Sequence, residues 1–438
     1  MVIERRGQLR QVAILTLGCK LNQADSDALA RRFRLAGCAV GEDIAGADAI
    51  IVNSCTVTHV ADRKARQLVR QARRGAPGAT VVLTGCYVDS AGGRPAIEAG
   101  ADLAIPNRDK GQIVDLVFSK RTGETPDAGA AGERPALRGL RSRAFIKIQE
   151  GCNDVCSFCI VPRVRGREDS RTVDDILEEA AAHEAAGAQE IVLTGTQLGH
   201  YGRDRGWEPG PRLLLEQLLL RTTVPRIRIS SLQPQDLHPA LLELWADKRL
   251  CPHFHVPLQS GSDSVLRRMR RRYGARRYRE ALDLVRKQVP GASVTTDVIA
   301  GFPGETEEDF AETVALCEEA GFSWMHVFPY SLRRGTSAAL LDGHLPSEVK
   351  RRRVDELIGI ARQGGARFRR GLLGASHEVL WEERVPDGEW LGLTANYVRT
   401  RVSTDDDLAN TISTVKLLAL RGDIVDAERL PIAVAGRP

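Results

Sequence analysis

Residues 151–159 read Gly-Cys-Asn-Asp-Val-Cys-Ser-Phe-Cys, a CxxxCxxC motif that places three cysteines within eight residues. The motif follows a short apolar run at 145–148 that has the length and composition of a buried strand. Further strand-like runs lie at residues 190–193, 226–229, 253–256, 294–299 and 326–328. Helical patterns separate them, which predicts a partial (βα)6 barrel of parallel strands whose functional site lies at their carboxyl ends.

Three thiolates at this spacing suit iron–sulfur chemistry. Cys152, Cys156 and Cys159 can bind three irons of a [4Fe–4S] cluster and leave the fourth iron without a protein ligand. The alternative is a structural zinc site, which takes four ligands, commonly from paired CxxC units. No fourth cysteine is near, and His183 falls within a predicted helix. The spacing therefore favours a cluster, whose open iron suits a ligand with amino and carboxylate groups.

A second α/β series precedes the barrel. Strand-like runs lie at residues 12–17, 49–52, 80–83 and 103–105. Their alternation with helical patterns predicts a doubly wound parallel sheet. The first three runs lead into Cys19, Cys55 and Cys86, and ligands of such sheets bind outside the carboxyl ends of the strands. Each cysteine alone could be a small buried residue, but three at equivalent positions predict a second cluster site.

Composition divides the remainder of the chain. Residues 121–143 are rich in Gly, Ala, Pro and charge and lack periodicity, which predicts a linker. A basic helical pattern at 348–370 precedes short strand-like runs that predict a small closed β-barrel. We therefore expect an N-terminal domain at 10–120, the linker at 121–143, the larger barrel at 144–370 and the small barrel at 371–436.

The composition excludes several protein classes. Of the 438 residues, 42% are hydrophobic and 27% charged, as in ordinary globular proteins. No apolar run approaches the roughly 18 residues of a membrane helix, and the first residues lack a signal-peptide pattern, so we expect a cytoplasmic protein. The odd number of nine cysteines argues against a disulfide framework.

The net charge of +5 is modest, but it is unevenly distributed. Eight arginines fall within residues 267–279, and a second basic group lies at 350–370. These groups indicate a polyanion partner, although solvated helix faces would produce the same pattern.

The sequence shows no convincing acid–base or nucleophilic machinery. It lacks a Ser/His/Asp arrangement, paired carboxylates and a P-loop, since the turn at 301–304 has no following Gly-Lys-Ser/Thr. His253, His255 and His326 lie in predicted strands, where a polar barrel lining explains them. We expect no catalytic side chains beyond the cluster ligands.

The motif, its place after the first barrel strand and the (βα)6 pattern resemble the radical S-adenosylmethionine superfamily. The resemblance implies that the open iron chelates the methionine part of S-adenosylmethionine and that Phe158 packs near its adenine. Gly195, Thr196 and Gln197 match the contact with the methionine amino group, with Gln197 replacing the commoner glutamate. Gly301 matches the contact on the adenine side.

The order of the three modules resembles the methylthiotransferases over nearly the whole chain. The runs TLGCKLNQADSDAL (16–29), NSCTVTHVADRKARQ (53–67) and HFHVPLQSGSDSVLRRMRRRY (253–273) are most similar to the branch acting on threonylcarbamoyladenosine. The resemblance implies two [4Fe–4S] clusters, S-adenosylmethionine and methylthiolation of C2 of N6-threonylcarbamoyladenosine at position 37 of tRNA, next to the anticodon. It also implies a low-potential electron donor of the flavodoxin or ferredoxin type and a monomeric enzyme.

The small barrel resembles a TRAM domain, which implies RNA binding. Trp381, Trp390 and Tyr397 are candidates for base stacking, and Arg399 and Arg401 for phosphate contacts, although barrel aromatics often form the core. Three alternatives remain open: methylthiolation of isopentenyladenosine in tRNA, of a ribosomal protein aspartate, or a non-enzymatic iron–sulfur scaffold that binds RNA. The other methylthiotransferase branches differ at residues 20–23, immediately after Cys19.

Overall fold

The computed structural model describes residues 9–122, 142–208 and 210–431. Most of the predicted linker, residues 123–141, and residues 432–436 of the predicted small barrel lie outside these ranges. Within the described ranges no helix has the length and apolar character needed to cross a membrane.

The first unit is a parallel sheet with helices on both faces. Its elements are β1 (Gln11–Thr16), α1 (Lys20–Leu35), β2 (Ala39–Gly41), β3 (Ala49–Ser54), α2 (His59–Gly75), β4 (Thr80–Gly85), α3 (Cys86–Ala91), α4 (Arg94–Glu98), β5 (Leu103–Ile105) and α5 (Ile113–Thr122). The strand order is β2-β1-β3-β4-β5, so the winding direction changes between β1 and β3. Such a switch point opens a crevice at the carboxyl ends of the strands, where ligands bind.

The sequence of this sheet explains its two-sided burial. Every residue of β3 and β4 is buried. Ile50 and Val52 pack in the core on one face of the sheet, whereas Ile51 packs in the core on the other. Consecutive apolar residues are therefore buried on opposite faces of the sheet, which confirms the prediction of a doubly wound sheet. Strand β2 was not predicted, because its three partly exposed residues carry no hydrophobic pattern.

The second unit is the open barrel. Its elements are β6 (Arg143–Glu150), α6 (Val161–Arg165), β7 (Asp169–Ser170), α7 (Val173–Ala185), β8 (Glu190–Gly195), α8 (Gly210–Arg221), β9 (Arg226–Ile229), α9 (Pro239–Leu242), β10 (His253–His255), α10 (Asp263–Arg268), α11 (Ala275–Gln288), β11 (Ser293–Ala300), α12 (Glu307–Ala320), β12 (Trp324–Pro329) and α13 (Ser347–Gly371). One sheet has the order β7-β6-β8-β9, the other β10-β11-β12, and a bridge between Ile227 and Leu250 joins them.

The six parallel strands confirm the predicted partial barrel. The described residues of β6 and β12 do not pair with each other, so the barrel is open along that side. Helix α1 of the first unit packs against β6 and brings the first residues of that helix to the opening. The sheet of the first unit and the barrel therefore share one boundary.

The third unit is the closed β-barrel expected at the end of the chain. Its strands are β13 (Ser376–Val385), β14 (Glu389–Thr394), β15 (Arg399–Ser403), β16 (Ile412–Arg421) and β17 (Ile424–Arg429), which close in the order β13-β14-β15-β17-β16. Trp381 and Trp390 are buried in its core. The expectation that they stack on RNA is therefore wrong, and core packing explains both.

The closed barrel docks against the open barrel at the amino ends of its strands. Arg226 of β9 donates to the carbonyl oxygens of Leu393 and Glu378 at 2.9 and 2.8 Å. Arg228 donates to the carbonyl oxygen of Ala395 at 2.9 Å. These bonds hold β13, β14 and the connection between β14 and β15, which carries Tyr397, against the open barrel.

Candidate functional site

Three cysteines meet at the carboxyl edge of the first sheet. Cys19 caps the amino end of α1 after β1, Cys55 follows β3 directly, and Cys86 follows β4 and opens α3. The register pairs Thr16 with Asn53 and Ser54 with Gly85, so the three strands end side by side. We call these three cysteines the assembled trio, because each comes from a different strand end.

Two glycines let the strand ends around the assembled trio pack closely against one another. Gly18 has a φ of +108°, and a Cβ atom there would lie 2.6 Å from Cβ of Cys55. Gly85 has a φ of +98°, and its Cβ would lie 2.4 Å from the carbonyl oxygen of Ser54. Glycine tolerates these conformations without steric cost. A side chain at either position would push the strand ends apart.

Electrostatics shows that the thiols of the assembled trio are neighbours. Burial raises the pKa of Cys55 to about 11, and part of this shift comes from the nearby Cys19 and Cys86, because thiolates repel one another. Iron bound at these sulfurs would replace the protons and supply the missing positive charge.

The other three cysteines lie in the loop between β6 and α6, and we call them the contiguous trio. Burial raises the pKa of Cys159 to about 12 and that of Cys152 to about 11, and Cys156 contributes to both shifts. The loop is held at Ser157, whose N–H donates to the carbonyl oxygen of Met269 at 3.0 Å. The thiols are therefore clustered and fixed to the segment after α10.

A buried arginine contacts one sulfur of each trio. Arg165 Nε lies 3.3 Å from Sγ of Cys86, and Arg271 Nη1 lies 3.2 Å from Sγ of Cys156. Burial alone would lower the pKa of Arg165, but Cys86 and Asp25 raise it above the usual arginine value. Both guanidinium groups can donate hydrogen bonds to a thiolate, the form in which cysteine binds iron.

The two trios are joined by direct packing. Cys86 of the assembled trio is buried against Ile160 and Val164, which follow Cys159 in the chain. On the other side of Cys55, Arg333 donates to Oγ1 of Thr56 at 2.7 Å and pairs with Asp62 at 2.8 Å. Both contacts tie the first sheet to the open barrel next to a cysteine.

The donor sets fit clusters better than single ions. Across the part of the chain that the structure describes, no three His, Cys, Asp or Glu side chains converge on one metal position. In a cubane cluster each thiolate binds a different iron, so the sulfurs need not converge on one point. A closed tetrahedral zinc site requires such convergence.

The turn after β8 has the features expected of a ligand contact. Oε1 of the buried Gln149 accepts from the N–H groups of Thr196 and Gln197 at 3.1 and 3.0 Å, which fixes the turn after Gly195 to the end of β6. Oγ1 of Thr196 and Nε2 of Gln197 are buried and have no partner among the described residues. Buried polar groups normally have partners, so a bound ligand would satisfy them.

The residues predicted on the adenine side lie around one small apolar cluster. Phe158 packs against the cluster that contains Phe302 and Tyr330. Gly301 follows β11, and its N–H donates to the buried Glu305, which pairs with Arg353 at 2.7 Å. The predicted contacts of S-adenosylmethionine thus occupy turns at the carboxyl ends of barrel strands, as the barrel architecture leads one to expect.

Several arginines of the basic group at 267–279 have acidic partners within the fold. In the group at 267–279, Arg268 pairs with Asp309 at 2.9 Å, Arg272 with Asp154 at 2.7 Å, and Arg279 with Glu319 at 2.8 Å. These three arginines therefore have carboxylate partners within the fold, and contact of the group with a polyanion stays a prediction. Sequence reasoning counted the charges but had no means of pairing them with distant carboxylates.

A different surface carries a positive excess. A cleft of about 1140 Å³ between the first sheet and the open barrel is lined by nine basic and five acidic side chains. Arg108 and Arg163 lie in this lining, as does Arg165. The cleft therefore adjoins the arginine that contacts Cys86.

Sequence reasoning missed Gln149, Arg165, Arg271 and Arg333. Gln149 was hidden in a strand, Arg165 and Arg333 looked like ordinary surface charges, and Arg271 was counted within the basic group at 267–279. A signal existed for Arg165, because it follows the CxxxCxxC motif by six residues and so had to lie close to it. None existed for Arg271 and Arg333, which reach their partners through the tertiary fold.

Comparisons with known proteins agree with this geometry. The model of the radical SAM superfamily matches residues 146–317, and the model described as uncharacterized protein family UPF0004 matches residues 11–103. A threonylcarbamoyladenosine tRNA methylthiotransferase MtaB from Bacillus subtilis is 36% identical over 422 residues, covering 93% of both chains. One from Thermotoga maritima is 35% identical and covers 89% of this chain and 91% of its own.

Relatives with another printed name also match. A tRNA-2-methylthio-N(6)-dimethylallyladenosine synthase from Syntrophomonas wolfei is 34% identical, covering 84% of this chain and 86% of its own. Among solved structures, the radical S-adenosylmethionine methyltransferase TsrM from Kitasatospora setae matches with a TM-score of 0.53 at 15% identity, over 73% of each chain. At that identity the match supports the fold alone.

Proposed function

This chain belongs to the family of radical S-adenosylmethionine tRNA methylthiotransferases, and we propose that it adds a methylthio group to C2 of N6-threonylcarbamoyladenosine. The target would be position 37 of tRNA, next to the anticodon. The observation that carries the proposal is the packing of Cys86 against Ile160 and Val164, because it brings two three-cysteine sites to one boundary. Sulfur insertion and radical initiation need two such centres close together.

Family membership implies S-adenosylmethionine and a [4Fe–4S] cluster. We assign the ligands of that cluster to the contiguous trio, and we assign a second [4Fe–4S] cluster to the assembled trio. When bound, the first supplies the electron that cleaves S-adenosylmethionine to start the attack on the adenine carbon, and the second supplies an open iron for the sulfur.

The chain itself contributes orientation and hydrogen bonds. Gln149 holds the backbone of Thr196 and Gln197, so the unpaired polar atoms of this turn can meet the methionine part of the cofactor. Phe158 offers an apolar face for the adenine. Gly195 and Gly301 lie in the turns that bring the backbone close. Radical chemistry belongs to the cofactor, whereas the protein positions it and excludes competing reactions.

The cleft of 1140 Å³ is the tRNA surface that we propose. Its positive excess suits a phosphate backbone, and it adjoins Arg165 beside the assembled trio. The proposal retains the domains expected at 10–120, 144–370 and 371–436, with the last acting as an RNA-binding TRAM domain. We also propose that the protein is cytoplasmic and monomeric, and that a flavodoxin or ferredoxin donates the electron to it.

Methylthiolation of the dimethylallyl (isopentenyl) derivative of adenosine is the second candidate function. The relative from Syntrophomonas wolfei carries that name and covers most of the chain. Both candidates use the same chemistry and differ in the substituent at N6 of the adenine.

The test is to supply the full-length protein, reconstituted with iron and sulfide without oxygen, with two anticodon stem-loops. One carries threonylcarbamoyladenosine and the other dimethylallyladenosine at position 37. With S-adenosylmethionine and reductant, mass spectrometry of the nucleosides should detect the methylthio product from the first RNA. Product from the second RNA alone would establish the alternative, and the absence of deoxyadenosine with either RNA would contradict both.

A further inference from the structure

A cavity of about 590 Å³ lies where the three units of the fold meet. Lys20 of α1 lines it together with His255 and Thr295 of the open barrel and Tyr397 of the closed barrel. Lys20 directly follows Cys19, so the two Cα atoms are about 3.8 Å apart. The residue that follows a cysteine of the assembled trio therefore lines this cavity.

The charge of Lys20 has no carboxylate partner. Its Nζ lies 5.7 Å from the centre of the Tyr397 ring, and no carboxylate of the described residues forms an ion pair with it. Nearby cations are compensated: Arg228 pairs with Glu190 at 2.7 Å, and Arg143 with Glu382 at 2.6 Å. Withdrawing a cation from water without a partner is unfavourable, so an anionic ligand at Lys20 would relieve that cost.

Tyr397 is held in an unusual conformation to reach this place. Its φ of +69° is uncommon for a residue other than glycine, and such backbone strain concentrates at functional sites. The ring stacks on His253 with centroids 4.6 Å apart and planes 12° apart. The closed barrel thus contributes a residue to the cavity.

The remaining lining is polar on the side of the open barrel. Oγ1 of Thr295 contacts Nε2 of His253 at 3.2 Å and Nδ1 of His255 at 3.0 Å. The acidic residues that line the cavity near the closed barrel are mostly engaged, since Glu382 pairs with Arg143 and Asp423 with Arg369 at 2.7 Å. Glu383, which also lines the cavity, is exposed.

The threonylcarbamoyl substituent has the matching chemistry. It carries a carboxylate, a hydroxyl and a urea group, whereas a dimethylallyl substituent has no polar atom. An apolar group here would leave the polar lining desolvated and unpaired, and sites built for hydrogen bonds discriminate strongly against ligands that lack them.

Given the proposed function, on which this step rests, we infer that Lys20 is a specificity-determining residue that binds the carboxylate of the threonylcarbamoyl group. Tyr397 acts as a positioning residue beneath its ammonium group. The two candidate nucleosides differ only in the substituent at N6. The contact with Lys20 selects the one whose substituent is negatively charged.

The experiment measures binding without turnover. Full-length protein reconstituted with iron and sulfide is titrated, without reductant, into labelled anticodon stem-loops that differ at position 37. They carry adenosine, threonylcarbamoyladenosine, or its carboxamide analogue, which keeps the shape and loses the charge. Wild type should bind the carboxylate form roughly ten- to a hundred-fold more tightly than the carboxamide, as expected for a charge-assisted hydrogen bond.

Lys20→Met should abolish this preference, so that the carboxylate and carboxamide stem-loops bind with equal affinity. Lys20→Arg should retain part of it, because the charge remains. Lys287→Met is the matched control, since Lys287 is exposed on α11, and it should keep the full preference. If Lys20→Met discriminates carboxylate from carboxamide as well as wild type does, the inference is wrong.

The comparison of the carboxylate and carboxamide stem-loops uses wild-type protein. It therefore tests the inference even if Lys20→Met folds poorly. Wild type that prefers threonylcarbamoyladenosine over adenosine but binds the carboxamide equally well would overturn the role of Lys20 and leave the proposed function intact. Wild type with no preference for threonylcarbamoyladenosine over adenosine would count against the proposed function itself.

Discussion

The two cysteine trios bring three thiols together by different routes. The contiguous trio occupies one loop, so covalent connection alone keeps Cys152, Cys156 and Cys159 near one another. The assembled trio depends on the register of β1, β3 and β4 and on the switch point between β1 and β3. A contiguous site is a local property of the chain, whereas an assembled site exists only if the whole sheet folds correctly.

The trios also differ in what surrounds them. The contiguous trio is fixed to the segment after α10, within its own unit. The assembled trio is held from outside its unit, by Arg165 at Cys86 and by Arg333 at Thr56, both from the open barrel. Loosening the boundary between the units should therefore affect the assembled trio first.

The largest effect is expected from removing one ligand of each trio. Cys156→Ala should abolish formation of deoxyadenosine, whereas Cys55→Ala should spare it and abolish methylthiolation. Wild type should carry about eight irons and each variant about four, because each loses one cluster. Iron analysis and product assays check both, and equal loss of the two activities in folded Cys55→Ala would contradict separate roles.

A smaller effect is expected from the ion pair between the units. The side chains of Arg333 and Asp62 are only 7% and 12% exposed, so Arg333→Met leaves a nearly buried carboxylate and should cost about 3–5 kcal/mol of stability. Iron occupancy of the assembled trio should fall while the contiguous trio stays loaded, which spectroscopy of the two clusters can separate.

Arg94→Met is the control for that variant, since Arg94 is 90% exposed and pairs with Glu98 on the surface of the first unit, which also contains Asp62. It should change neither stability nor iron content measurably. Equal iron loss from both trios in Arg333→Met would show that the assembled site is no more dependent on the boundary than the contiguous one.

The hydrogen bonds from arginine to sulfur should tune each cluster separately. Arg165→Met should lower the reduction potential of the cluster on the assembled trio, and Arg271→Met that of the other, by on the order of 50 mV each. Loss of a positive charge and a donor makes the reduced state less stable. Redox titration followed by electron paramagnetic resonance measures both potentials, and a shift of the wrong cluster would refute the assignment of partners.

The smallest effect is expected at the cleft beside the assembled trio. Arg108→Gln should weaken tRNA binding a few-fold and reduce the slope of log affinity against log salt by about 0.7–0.9, the value for one phosphate contact. Arg276→Gln, in the arginine-rich group on α11, is the control because its side chain is 92% exposed. If Arg276→Gln loses more tRNA affinity than Arg108→Gln does, the tRNA-binding surface lies at the arginine-rich group and not at the cleft.

Much of the fold follows from local pattern. Buried runs alternating with helices predicted the parallel sheet and the open barrel, and turn residues between short strands predicted the closed barrel. Short elements were not predicted, because β2 has three residues and α10 has six, which are too few for a periodic signal. Trp381 and Trp390 were ambiguous because an aromatic residue in a strand can face either side.

The linear order of residues was enough to predict both trios, because one is a continuous motif and the other follows strand ends that parallel pairing must align. Charge partners were decided by the tertiary structure. Arg271 finds Cys156, Arg333 finds Asp62, and Lys20 is left beside Tyr397 without a carboxylate, all through contacts between segments distant in the chain. Hydrophobic periodicity repeats along the chain and can be read locally, whereas electrostatic pairing depends on which distant side chains share a low-dielectric space.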